Sequence, residues 1–135
     1  GHFELASSVG LAIFITSFSY RRGLPREADL VFDVRFLANP HYDPDLKDLT
    51  GKDDAVGAFI SADEGFQPFF ENLTRFLEPL IGGYAAEGKS YLTIALGCTG
   101  GRHRSVFVAE KLTRWLEGKT RHVQMRHRDL DKSGI

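Results

Sequence analysis

Leu96-Gly97-Cys98-Thr99-Gly100-Gly101-Arg102-His103-Arg104-Ser105 follows an apolar run, Tyr91 to Leu96, and precedes Val106, Ala109, Leu112 and Leu116 at helical spacing. The order is strand, glycine-rich turn, helix start. The first N–H groups of a helix have no partner within it, and the helix dipole adds partial positive charge there. Such a turn favours an anion, above all a phosphate. Gly100 and Gly101 allow the left-handed dihedrals and close approach that a nest of amides needs. Arg102 and Arg104 bring guanidinium forks, Thr99 and Ser105 hydroxyls, and His103 a ring N–H. The plain alternative is a βα turn without a ligand. That turn has no need of two arginines, a histidine and two glycines side by side.

Outward from this turn the chain alternates strand and helix patterns. Leu11 to Phe18 is β-branched and aromatic and reads as a buried strand. Leu30 to Phe36 reads as a second, with Leu30, Phe32, Val34 and Phe36 on one face and Val31, Asp33 and Arg35 on the other. Between residues 37 and 60 the pattern is irregular. Asn39-Pro40-His41-Tyr42-Asp43-Pro44 is turn chemistry, and Asp45–Thr50 and Asp53–Ile60 each read as about two helical turns. A long irregular segment inside a compact domain is commonly a lid or a binding loop, and equally a mobile surface excursion. Phe66 to Tyr84 is an amphipathic helix with apolar residues at three- and four-residue steps. Pro79 is expected to kink it and Gly82-Gly83 to end it early. A helix over His103–Glu117 with Gly118 as C-cap follows the glycine-rich turn, then a last strand over Arg121–Arg126. The expected fold is a single α/β domain: a mostly parallel sheet of four to five strands, helices packed on its faces, and right-handed crossovers.

The 135 residues suit one domain over residues 11–135. Residues 1–10 read as a linker or cloning remnant, and the absence of an initial Met makes the chain read as part of a longer protein. No apolar run approaches the ~20 residues of a membrane span, so no membrane partner is expected. Cys98 is the only cysteine, which excludes a disulfide framework and a Cys-based zinc site and makes the cytoplasm the expected compartment. No His/Asp/Glu spacing points to a metal. The net charge of −1 is unevenly spread, at −6 over residues 1–101 and +5 over residues 102–135. That asymmetry points to one face that meets a polyanion.

In an open α/β sheet a ligand sits beyond the carboxyl ends of the strands. Those ends gather Ser17 to Tyr20, Arg35 with His41 beyond it, the Cys98–Ser105 turn, and Arg126 to Arg128. Three chemistries fit this rim. One is a thiolate phosphatase, because Cys98 and Arg104, followed by Ser105, have Cys-x5-Arg-Ser spacing. There Cys98 is the nucleophile and Arg104 clamps the phosphoryl oxygens. Gly97 stands where such enzymes carry His, and no acid motif is recognisable; Cys98 reads equally as a small apolar residue ending a strand. The second is non-catalytic binding of a phosphorylated metabolite, with His41 and His103 as donors. The third is RNA binding by the basic C-terminal stretch, for which Arg121, Arg126, Arg128 and Lys132 are candidates.

Four blocks carry a resemblance: Phe18-Ser19-Tyr20, Asp33-Val34-Arg35-Phe36-Leu37-Ala38-Asn39-Pro40, Gly97 to Ser105, and Arg126-His127-Arg128-Asp129-Leu130. Together they resemble the C-terminal domain of the RapZ/YvcJ family over nearly the whole chain after residue 11. The resemblance implies an adapter whose C-terminal domain binds glucosamine-6-phosphate and small regulatory RNAs and presents RNA to an endoribonuclease. It implies a phosphosugar site built from Thr99, Gly100, Gly101, His103 and Arg104 with His41, and no cofactor in this domain. It also implies a homo-oligomeric whole protein whose N-terminal P-loop domain holds ATP or GTP. The resemblance covers only the C-terminal domain, so that P-loop domain is expected to lie outside this sequence. The chain departs from the enterobacterial members at its end: Asp131-Lys132-Ser133-Gly134-Ile135 replaces their dense Lys/Arg tail.

Overall fold

The computed structural model describes residues 10–132; all of the proposed linker but Gly10, and the residues after 132, lie outside that range. Four strands form one parallel sheet: β1 (Ala12–Ser19), β2 (Leu30–Asp33), β3 (Tyr91–Cys98) and β4 (Val123–His127), in the order β2-β3-β1-β4. Three α-helices connect them: α1 (Asp54–Ser61), α2 (Phe66–Ala86) and α3 (Arg104–Glu117). This is the parallel α/β domain that the alternation of patterns predicts.

The register shows which residues share a face. Ile13 pairs with Leu92, Ile15 with Ile94 and Ser17 with Leu96, while Leu30 and Phe32 of β2 lie level with Ile94 and Leu96. These alternate positions enter one core with Val56 and Ile60 of α1, Leu73, Leu77 and Ile81 of α2, and Val108, Ala109, Leu112 and Leu116 of α3. All three helices therefore share one face of the sheet. Truncating a fully buried member such as Ile94 to Ala is expected to cost about 2–5 kcal/mol.

Handedness explains the other face. Passing from β2 to β3 and from β3 to β4, the chain moves the same way across the sheet, carrying its helices. From β1 to β2 it moves back, so a right-handed crossover must run over the opposite face. Residues 20–29 do this without an α-helix: Tyr20–Arg22 is a 3-10 turn, Pro25 is buried, and Asp29 bonds Thr93 through both backbone and side chain. A cleft of about 670 Å³ remains on that face, lined by Phe14, Tyr91, Thr93 and Arg126 among others.

Several expected boundaries shift for local reasons. β2 stops at Asp33, not Phe36, because the Asp33 carboxylate accepts the Arg35 amide at 2.9 Å and turns the chain. Phe36 consequently leaves the core face, stands 57% exposed and meets the Phe69 ring edge-on. Residues 45–50 form turns in place of a helix, whereas α1 forms within one residue of its expected span. Gly82 and Gly83 do not end α2, which continues to Ala86, with Pro79 inside it. The last strand begins two residues later than expected, at Val123.

Candidate functional site

β3 delivers the chain to the carboxyl edge of the sheet at Cys98, and α3 begins at Arg104. Among the described residues no acceptor meets the backbone N–H groups of Thr99, Gly100, Gly101, Arg102, His103 or Arg104. Buried polar backbone without a partner is rare in folded proteins. Gly101 has φ +69° and is buried, a conformation costly for residues with a Cβ. The turn thus leaves its amides without acceptors at the carboxyl edge of the sheet, with Gly101 alone of its two glycines at positive φ.

The side chains around it behave less uniformly than their charges imply. Arg104 is 5% exposed, and its Nη1 donates to the carbonyls of Arg35 at 2.6 Å and Leu37 at 3.1 Å. Arg102 donates to the carbonyls of Leu49 and Asp48. His103 Nε2 lies 3.1 Å from the Lys47 carbonyl, which can only accept, so Nε2 carries the proton. Burial, the largest influence, holds the His103 pKa below the ordinary histidine value and favours the neutral ring. Three of the predicted anion donors thus hold the segment 35–49 against the turn. Gly51 completes the attachment by donating to the Arg102 carbonyl, and a Cβ there would collide with the His103 carbonyl and the Phe107 amide. The Lys47, Asp48 and Leu49 carbonyls are thus engaged by Arg102 and His103, in the turn that precedes α3.

The held segment walls a cleft of about 640 Å³, which His41, Cys98, Thr99, Gly100, Arg102, His103 and Arg104 all line. Gly101 and Ser105, also predicted, sit behind it: Ser105 is fully buried beneath Cys98. Cys98 is 2% exposed, with Sγ 3.1 Å from Ser105 Oγ and accepting the Ser105 amide at 3.3 Å. His41 is exposed, its ring edge-on to Tyr42 at 5.4 Å. Sequence reasoning missed Arg21, Arg22, Tyr42 and Lys47, which also line the cleft. The pair Arg21-Arg22 directly follows the β1 end, so the rule that ligands sit at strand ends could have included it. Lys47 had no such signal, since only the folding back of residues 37–51 brings it there.

The predicted RNA-contact residues differ in their surroundings. Arg121 and Arg126 are exposed, and Arg126 lines the cleft on the helix-free face. Arg128 is engaged within the fold: it pairs with Asp129 at 2.8 Å, donates to the Gly23 carbonyl at 2.7 Å and lies over the Phe18 ring. The Lys132 side chain lies outside the described part of the chain. Among the described residues no cluster of three His, Cys, Asp or Glu side chains is arranged to hold a metal, and no helix is long and apolar enough to cross a membrane.

A parallel α/β sheet with a cation-lined cleft beyond its strand ends defines the class, that of small parallel α/β domains with a cleft at a βα turn. The family model of the RapZ C-terminal domain matches residues 11–131, and the chain belongs to that family. It is 64% identical over 134 residues to a nucleotide-binding protein of Paramagnetospirillum magneticum, covering 99% of this chain and 44% of that protein. It is 56% identical to one of Rhodospirillum rubrum, covering 97% of this chain and 41% of the relative. One of Rhodospirillum centenum is 58% identical, covering 98% and 40%. The chain spans less than half the length of these curated relatives.

Proposed function

We propose that this domain binds a phosphorylated amino sugar such as glucosamine-6-phosphate without transforming it, as the sensing part of a RapZ-like regulatory adapter. The observation that carries the reading is the run of unpartnered amides over residues 99–104, in a turn whose Thr99, Gly100, Arg102, His103 and Arg104 line the cleft of about 640 Å³. Unpartnered N–H groups just before and at the start of α3 suit the oxygens of a phosphomonoester. Arg21 and Lys47 add positive charge at the rim, and His41 with Tyr42 offers a polar, partly aromatic wall for a sugar ring.

Two features favour binding over phosphoryl transfer. The Cys98 thiol is buried against Ser105, and Arg104 Nη1 is engaged by the Arg35 and Leu37 carbonyls. Titration calorimetry of the chain with glucosamine-6-phosphate tests the reading. Saturable binding that persists in Cys98→Ser, with no phosphate released, is the expected result. No binding of the sugar phosphate refutes it, and turnover that Cys98→Ser abolishes transfers the site to the phosphatase reading.

RNA binding is the second arm of the proposal, and the exposure of Arg121 and Arg126 favours it. Each side chain that meets a phosphate is expected to steepen the salt dependence of binding, with a slope of about −0.7 per contact on a single strand. An RNA affinity that does not change between low and moderate salt contradicts this arm.

A further inference from the structure

Asp129 lies just beyond β4, is 1% exposed and does not line the cleft. Its carboxylate accepts the Ser19 amide at 2.7 Å and pairs with Arg128 at 2.8 Å. Ser19 in turn donates its hydroxyl to the Thr99 carbonyl at 2.7 Å. At Gly101 a Cβ would meet the Ser19 amide nitrogen and Cβ at 3.0 Å and the Asp129 Cβ at 3.3 Å. The first residue of the nest is thus tied to Ser19, and the third rests on both Ser19 and Asp129. Arg128, held by the same carboxylate, also closes the turn that carries Arg21 and Arg22 by donating to the Gly23 carbonyl.

We infer that Asp129 is a positioning residue of the anion site, holding Ser19 so that the amides of residues 99–101 converge before any ligand arrives. The inference rests on the proposed phosphate site and adds what keeps that site in shape. A hydrogen bond to a buried carboxylate is stronger than a neutral one, and its loss leaves the Ser19 amide unsatisfied. A nest that must be ordered at the moment of binding loses affinity, because preorganisation is what spares that cost. The coupling is reciprocal, so ligand at the nest also steadies the chain that follows β4.

The test compares glucosamine-6-phosphate affinity in the unaltered chain, Asp129→Ala, Ser19→Ala and the double variant. Each single change is expected to weaken binding about tenfold, the equivalent of one buried charge-assisted hydrogen bond. The double variant is expected to bind no worse than the weaker single one, because both changes break one chain of contacts. Asp129→Asn keeps an acceptor for the Ser19 amide and is expected to recover part of the loss. Should Asp129→Ala fail to fold, Asp129→Asn and Ser19→Ala carry the same comparison. Unchanged affinity in the Asp129 variants, or losses that multiply in the double variant, overturn the inference. If the unaltered chain binds no sugar phosphate, the functional reading fails by itself. The Gly101 amide resonance without ligand then decides the positioning role: displaced in the Asp129 variants it stands, unmoved it falls.

Discussion

His103 shows how a residue chosen for one role can serve another. Its charge state bears on stability because burial lowers its folded pKa below the unfolded value of about 6.5. The unfolded chain therefore takes up the proton first as pH falls. The stability that the neutral ring contributes is fully present above about pH 6.5 and is lost as pH drops toward the folded pKa. Melting temperature is expected to fall over that interval, and His103→Gln, which keeps a donor for the Lys47 carbonyl, is expected to flatten the change; an identical pH profile contradicts the assignment. Gly51 makes a sharper demand. Gly51→Ala places a methyl group against the His103 carbonyl and the Phe107 amide, and is expected to cost about 1–3 kcal/mol in chemical denaturation. At this scale the sequence displays donors well and their partners poorly. The nest itself is legible in Thr99-Gly100-Gly101, but the carbonyls that engage Arg102, His103 and Arg104 belong to residues whose side chains carry no sign of it.

Among the elements, strands were the most legible, because Ile13, Ile15, Leu92 and Ile94 follow a period of two into a buried face. Their ends were less so. β2 is cut short by the Asp33 side chain, an interaction that hydrophobic alternation does not register. The glycines of α2 show the opposite error. Gly82 and Gly83 lower local propensity without ending the helix, whose apolar side stays anchored through Leu77 and Ile81. A Cβ at either glycine meets nothing within 4 Å. Gly82→Ala and Gly83→Ala are each expected to stabilise the domain by up to about 1 kcal/mol. A loss of stability in thermal unfolding would show that α2 needs that flexibility. The irregular pattern over residues 37–60 reads as a lid, a binding loop or a surface excursion, without deciding between them. Its course became visible only in the fold, since three side chains of a distant element hold it.

Over the whole molecule, topology gathers the residues of the proposed site on one edge. A parallel sheet brings every strand's carboxyl end to the same side, so Arg21, the nest and the end of β4 become neighbours although they are far apart in sequence. The charge asymmetry of the sequence survives only in part, because Arg104 and Arg128 are spent inside the fold while Arg121 and Arg126 remain at the surface. Positive potential is thus expected to be centred on the cleft rather than spread along the C-terminal third. Lys47→Ala is accordingly expected to weaken sugar-phosphate binding at low salt and to matter less at high salt, where surface charge is screened. The central claim is that the amides of residues 99–104 receive a phosphate. Following their backbone resonances during titration with glucosamine-6-phosphate tests it most directly. Saturable shifts concentrated on Thr99 to Arg104 are predicted; resonances that stay fixed there, while any shifts appear elsewhere, would contradict it.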